Sequence, residues 1–359
     1  MNILLGRGLA PASSKKTLPI YCLNFATLSS IPAGFTHSRS GNAWYQNAAG
    51  YWQVVGANTG RYQATLFGLN DAPGLLLEGA AICRNTYARP SAGAVANHFT
   101  ATTGITIVTE ADNPFKDLSS GTSVWNIDNA GGGSPLVVEW AGTCSNTNKH
   151  SGLAYIKVIS GTAPTLSIEG NGTQSTGHSV AGYTLYRVPN VTPSSGHNLR
   201  LSVPAGAVCR VAGANLQEYQ EISSFIDTAG SNATRNADDF YLSGANSSDF
   251  YNEAAGTVLF DYTSSDIDNK GADIFEWSNT GTATDFFRAY QSASNVVIFA
   301  RTNSALEIAD LGTAHPTGLP RGQRTRFAIP YAPNDAAIIK EGLVIEEDAS
   351  FNPPRASVL

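Results

Sequence analysis

Ile105-Thr-Ile-Val-Thr109, Leu136-Val-Val-Glu-Trp140, Ala154-Tyr-Ile-Lys-Val-Ile159, Tyr183-Thr-Leu-Tyr-Arg-Val188, Asn198-Leu-Arg-Leu-Ser-Val203 and Ala207-Val-Cys-Arg-Val211 decide how this sequence is read. Each run is short and rich in the β-branched and aromatic residues that suit a pleated, half-buried surface. Gly131-Gly-Gly-Ser-Pro135, Gly170-Asn-Gly172 and Pro193-Ser-Ser-Gly196 punctuate them. Several short strands separated by such turn clusters predict a jelly-roll or sandwich over residues 91–220.

The same rhythm continues outward. Upstream, residues 23–90 alternate apolar runs such as Tyr51-Trp-Gln-Val-Val55 and Gly74-Leu-Leu-Leu-Glu78 with Gly/Asn turns, and read as a small N-terminal β module. Downstream, residues 221–245 are a polar connector. Residues 246–359 resume strand-like runs: Thr257-Val-Leu-Phe-Asp-Tyr262, Asp273-Ile-Phe-Glu-Trp277, Phe286-Phe-Arg-Ala-Tyr290, Val296-Val-Ile-Phe-Ala300, Thr325-Arg-Phe-Ala-Ile329 and Leu343-Val-Ile-Glu346. They predict a second sandwich. Residues 1–22 are small, polar and Pro-containing around Lys15-Lys16, and read as an extended docking arm. Asp335-Ala-Ala-Ile-Ile-Lys-Glu341 has the best helical spacing but is too short to assign. No repeat of about 20–50 residues recurs, which argues against a propeller or solenoid. The expected class is all-β, with a small module followed by two sandwiches.

Composition narrows the function. Only 14% of the 359 residues are charged, 35 are Gly, and the formal net charge is −6. Lys and Arg are scattered, with one small cluster at Arg321, Arg324 and Arg326. A nucleic-acid partner calls for a basic face, so none is expected. The N-terminus lacks a basic region followed by an apolar run, and no stretch reaches the roughly 20 apolar residues of a membrane helix. A soluble chain made in the cytoplasm, without membrane insertion, is the expectation. Cys22, Cys83, Cys144 and Cys209 have neither zinc nor redox spacing and read as buried or partly buried thiols.

The sequence offers little chemistry. Glycosidases need two carboxylates facing one sugar bond. The Glu-x-Asp-x-x-Glu strand pattern is missing: Glu110-Ala-Asp112 runs into Asn-Pro-Phe, and Glu346-Glu-Asp348 lacks its third acid. Glu139 beside Trp140 fits a solvent-facing strand residue. Gly177-His-Ser-Val-Ala181 looks like a nucleophile elbow without its closing glycine, and reads as a loop. Asp266-Ile-Asp-Asn-Lys-Gly271 begins like a calcium loop, but position twelve is Trp277; only a loose oxygen site from Asp266, Asp268 and Asp273 is open. The six histidines are far apart. No catalytic residue, cofactor or firm metal site is expected. Aromatic rings stack on the apolar faces of sugars and equally well fill cores. Trp44, Trp52 and Tyr155 belong to that group. The leading glycan-binding candidates are Trp125 with Asn126 and Asp128, then Trp140, Tyr183 and Trp277.

Two further stretches carry a resemblance. The first runs Phe35-Thr-His-Ser-Arg39, Ala43-Trp-Tyr45, Gly50, Ala57-Asn58, Arg61 and Gly74-Leu-Leu-Leu-Glu-Gly79. The second runs Gly213-Ala-Asn-Leu-Gln-Glu218, Ser223-Ser-Phe-Ile-Asp-Thr228 and Ala233-Thr-Arg-Asn-Ala-Asp238. Both resemble series found in bacteriophage particle proteins of the head- and tail-fibre type. Asp227 stands where that series usually has proline, and His37-Ser38 interrupts its Phe-Thr-Arg run. The resemblance implies a glycan-binding-like sandwich linked to a concanavalin-like (laminin-G-type) one. It leaves the last sandwich incomplete, with an edge that a neighbouring subunit would cover. It further implies a non-enzymatic virion subunit of fibre, spike or decoration type. Its partners would be capsid, portal or tail proteins, its own copies (a homo-oligomer, most simply a trimer) and a host-surface glycan. A glycan-degrading spike and a pure cement protein remain the alternatives.

Overall fold

In the computed structural model the described residues are 2–7, 20–24, 29–64, 74–76, 78, 80–90, 95–118, 121–144, 146–172, 174–194, 196–219, 223–242, 254–263, 272–278, 286–291, 296–302, 305–308 and 324–349. Among them the protein is all-β, with one 3-10 turn at Val95–Asn97 and no α-helix. The chain divides into two compact units. One comprises residues 38–71 and 76–238; the other comprises 1–37, 72–75 and 239–359.

The 38–238 unit is a sandwich. Its larger sheet has an antiparallel path of six strands in the order Gln174–Val180, Tyr183–Val191, His150–Ser160, Val208–Glu218, Ser123–Asp128, Ile105–Thr109. Ala81–Cys83 joins the end of Val208–Glu218 and pairs in turn with Ala233–Arg235. The smaller sheet runs Leu136–Glu139, Leu199–Val203, Thr165–Ile168, Asn171–Gly172. One core cluster draws Trp125, Ile156 and Val211 from the large sheet, and Val138, Leu166 and Leu201 from the small one. A second cluster covers the opposite face of the large sheet, where Trp44, Trp52, Phe115 and Phe225 meet Leu153, Tyr155 and Leu185.

Burial on both faces explains why His150–Ile156 is buried at every position instead of alternating. It also fixes a glycine on each face. A Cβ on Gly152 would come within 2.6 Å of Leu199 Cδ1, and one on Gly213 within 2.7 Å of the Phe115 ring.

Gly177-His-Ser-Val-Ala181, expected as a loop, runs along the Gln174–Val180 strand into a two-residue hairpin. Val180 pairs with Tyr183, and Ala181 (φ 53°) and Gly182 (φ 76°) form the turn. Both residues have the positive φ that matches hairpin twist, so the serine sits on a strand and not on an elbow.

The other unit holds a six-stranded antiparallel sheet ordered Ile20–Asn24, Asn2–Arg7, Gly256–Thr263, Arg324–Ala332, Asp335–Lys340, Leu343–Asp348. A four-stranded meander covers Ala272–Ser278, Phe286–Gln291, Val296–Thr302 and Ala305–Ile308. Residues 2–7, part of the segment read as an arm, are a strand paired on both sides. The stretch with helical spacing, Asp335–Lys340, is also a strand flanked on both sides; Ala336, Ala337 and Ile338 are buried in sequence.

Candidate functional site

The two stretches that carry the resemblance meet in space. Arg39, Arg61 and Glu78 come from the first, and Ser223, Ser224, Arg235 and Asp238 from the second. Asp238 accepts Arg39 Nη1 at 2.7 Å through one carboxylate oxygen and pairs with Arg61 Nη2 through the other. Arg61 Nη1 donates to Glu78 Oε2 at 2.5 Å, to Ser224 Oγ at 3.1 Å and to the Trp44 carbonyl at 3.0 Å. Arg235 Nη1 donates to the Ser223 and Ser224 hydroxyls at 2.9 and 3.0 Å and lies 3.4 Å from Glu78. Backbone amides close the lattice: Ser224 N–H donates to Glu78 and Glu78 N–H to Asp238.

The side chains of Arg39, Arg61 and Asp238 are fully buried. Charges can stay dry only when each is paired and hydrogen-bonded. Three guanidiniums face two carboxylates, and the carbonyls of Gly41, Gly56 and Thr59 supply the missing acceptors around Arg39. Burial pushes the Glu78 carboxyl up; Arg235, Arg61 and the Ser224 hydroxyl and amide more than reverse this, holding it at about 2. Burial also lowers the pKa of Arg235.

Beside this ionic corner lies a recess of about 640 Å³. Arg89 spans it as a fork, with Nε 3.0 Å and Nη2 2.6 Å from the two oxygens of Asp227. The guanidinium also lies 5.2 Å from the Trp44 ring centre and 5.7 Å from that of Phe115, within cation–π range. Trp44 leans on Phe225 at 5.7 Å. These contacts fix the Asp227 carboxylate while leaving 29% of its side chain exposed. Across the rim stand Asn42, Val54, Asp117 and Thr234, all exposed. Asp117 Oδ2 accepts from Gln53 Nε2 at 2.9 Å.

The aromatic candidates lie elsewhere. Trp125 and Trp140 have no exposed surface. Their rings meet edge-on at 5.9 Å, and Trp125 Nε1–H donates to His98 Nδ1 at 3.0 Å. They fill the space between the two sheets and present no face to a sugar. Asn126 and Asp128 follow Trp125 on a strand, where neighbours point to opposite faces, so neither flanks the ring. Asp128 instead accepts the Ala130 amide at 2.9 Å in a turn. Tyr183 is buried and donates its hydroxyl to Glu110 at 2.5 Å. Trp277 and Asp273 lie on the Ala272–Ser278 strand, but their side chains fall outside the described residues, as do Asp266 and Asp268. Among the described residues no group of His, Cys, Asp and Glu could hold a metal.

Other reactive groups are also tied into structure. Glu139, the acid beside Trp140, pairs with Arg200 at 2.6 Å. Ser194 Oγ lies 2.8 Å from His197 Nε2, the approach of a nucleophile and its base. Yet Glu169 accepts the Ser194 hydroxyl and amide at 2.6 and 2.8 Å and lies 3.3 Å from the same His197 Nε2. A triad carboxylate would orient the other ring nitrogen, so this group is a hydrogen-bonded loop clasp. Cys83, Cys144 and Cys209 are free and buried; burial raises their thiols to about 12, 11 and 12, which keeps them protonated as packing groups. The side chain of Cys22 is outside the described residues.

Sequence reasoning missed the Arg89–Asp227 fork. Arg89 sits in no recognisable pattern, and the one signal was an acid, Asp227, in the second of the two stretches. No protein-family model matches this chain, and no curated protein matches its sequence.

Proposed function

We propose that this chain is a structural subunit of a bacteriophage particle, of the head- or tail-fibre, spike or decoration type, that presents β modules to a host-surface glycan without catalysing a reaction. The observation that carries the reading is the ionic corner. What supports the reading is that Arg39, Arg61, Glu78, Ser223, Ser224, Arg235 and Asp238, all from the two stretches that resemble fibre proteins, bond to one another across as many as 199 positions of sequence. A series that recurs for its architecture would be used in this way.

In this reading the partners are capsid, portal or tail proteins and further copies of the chain, most simply as a trimer. The test is to purify intact particles and locate the chain by imaging with a specific antibody. It should be present in a fixed copy number, a multiple of the oligomer. Its absence from purified particles would remove the proposal.

A glycan-degrading spike draws on Asp117 and Asp227, two acids at one recess. Both Asp227 oxygens face the Arg89 guanidinium, and adding a proton to the carboxylate would remove the charge that the fork pairs with. Incubation with host polysaccharide should therefore release no reducing ends. Release that disappears in Asp227→Asn would reverse the choice between the two readings.

A further inference from the structure

We infer that the recess between Arg89, Asp227 and the Asn42–Thr234 rim is a subsite for a short neutral saccharide, one that disfavours acidic sugars; this deepens the attachment reading above and rests on it. The recess volume, about 640 Å³, falls in the span of roughly 300–1,000 Å³ that small-ligand sites occupy. Its lining divides by chemistry. Val54, Leu118 and Trp44 are among its apolar lining, which suits the C–H face of a pyranose ring. The polar lining is rich in acceptors. Asp227 offers two carboxylate oxygens, Asp117 adds a second carboxylate, and Asn42 and Thr234 contribute an amide and a hydroxyl.

Each Asp227 oxygen spends one lone-pair direction on Arg89 and retains another. Held in a fixed plane, the pair of oxygens matches two adjacent sugar hydroxyls as donors. The fork is set before any ligand arrives: Arg89 is wedged against Trp44 and Phe115, and its side chain is only 11% exposed. Such preorganisation lowers the ordering cost of binding.

The same inventory sets the selectivity. Arg89 Nε and Nη2 are taken by Asp227, its Nη1 is buried away from the surface, and the deeper Arg235 is engaged by Glu78 and the Ser223 and Ser224 hydroxyls. An entering uronic or sialic acid would therefore set its carboxylate against two others, acceptor facing acceptor. A neutral hexose presents hydroxyl hydrogens instead. Selectivity here comes from the repulsive element as much as from the attractive one.

The test titrates the full chain with methyl glycosides of glucose, galactose and mannose, with N-acetylglucosamine, and with glucuronic and N-acetylneuraminic acids. Saturation-transfer NMR and calorimetry provide the readout. At least one neutral sugar should bind about tenfold or more tightly than either acid, the ratio expected from one unfavourable charge contact of roughly 1.4 kcal/mol. Asn42→Ala and Thr234→Ala, both on the exposed rim, should weaken that sugar about fivefold or more with an unchanged unfolding temperature, each deleting one hydrogen bond to the ligand. Asp117→Asn should narrow the gap between neutral and acidic sugars.

Silence from every neutral sugar at millimolar concentration, or equal binding by the rim variants, would overturn the inference. So would rim variants that bind no sugar differently but fail to enter particles, which would give the recess to a protein partner. The particle-location experiment is independent. A chain present on particles with a silent recess loses this inference and keeps the structural reading; a sugar-binding chain absent from particles does the opposite.

Discussion

Two regions of the 38–238 unit bury their side chains by opposite means. Between the sheets, Trp125, Trp140, Leu166, Leu201 and Val211 exclude water with apolar surface and need little of one another beyond shape. At the ionic corner, Arg39, Arg61, Arg235 and Asp238 are about as dry and Glu78 nearly so, but all depend on named partners at set distances. The apolar layer can absorb a change of similar volume. The corner cannot, because removing one member strands another charge away from water. Tolerance to substitution should therefore differ more between the two regions than burial does.

The sharpest way to break that contrast is an isosteric change on each side. Asp238→Asn keeps the shape and removes the charge shared by Arg39 and Arg61; it should cost about 3–5 kcal/mol in denaturant unfolding, close to the cost of Asp238→Ala. Leu201→Met in the apolar layer should cost under about 1.5 kcal/mol, although Leu201→Ala costs about 2–5 kcal/mol. Equal losses for the two isosteric variants would mean that the corner is held by packing alone.

Acid offers a second handle. Glu78 is held at about 2, below its ordinary 4.5. A depressed carboxyl contributes stability that is fully present above its unfolded value and fades as pH falls from about 4.5 towards 2, on the order of 3 kcal/mol in all. Glu218, held at about 2 despite its burial by Asn146, Asn148 and Arg84, fades in the same window. Urea midpoints measured across that range should fall steeply for the parent and less so for Glu78→Gln. Leu201→Met should follow the parent's slope.

The smallest effect belongs to the surface. Lys116 and Asp112 pair at 3.0 Å with both side chains substantially exposed, and exposed ion pairs contribute little. Lys116→Ala should leave the unfolding midpoint unchanged within error. A clear shift there would show that exposed pairs in this protein share the weight given to the corner.

These contrasts follow how legible each region is in the sequence. The strands were readable because β-branched runs and Gly/Pro turns are local signals: Ile105–Thr109 forms as read, and Leu136–Glu139 ends one residue short of the quoted run. The corner was readable only as two marker series. Which arginine meets which acid depends on contacts between positions 39 and 238 or 78 and 238, which no local pattern encodes. Trp125 was misjudged for the same reason in miniature. Its polar neighbours are adjacent in sequence, yet strand alternation turns them to the opposite face. The all-buried His150–Ile156 run hid the fact that both faces of the large sheet are covered. Asp227 was noticed as a departure, but its partner Arg89 lies 138 positions away.

The bond between Arg39 and Asp238 also has a consequence for the newborn chain. Its two ends are 199 residues apart, so during synthesis the first guanidinium waits, hydrated, until Asp238 has also left the ribosome. The sandwich strands between them can pair in the meantime, because their contacts are already in hand. Locking of the corner is then a late event that reports completion of the unit, and a nascent chain stalled before Asp238 should carry a folded apolar layer with an unlatched, protease-sensitive seam.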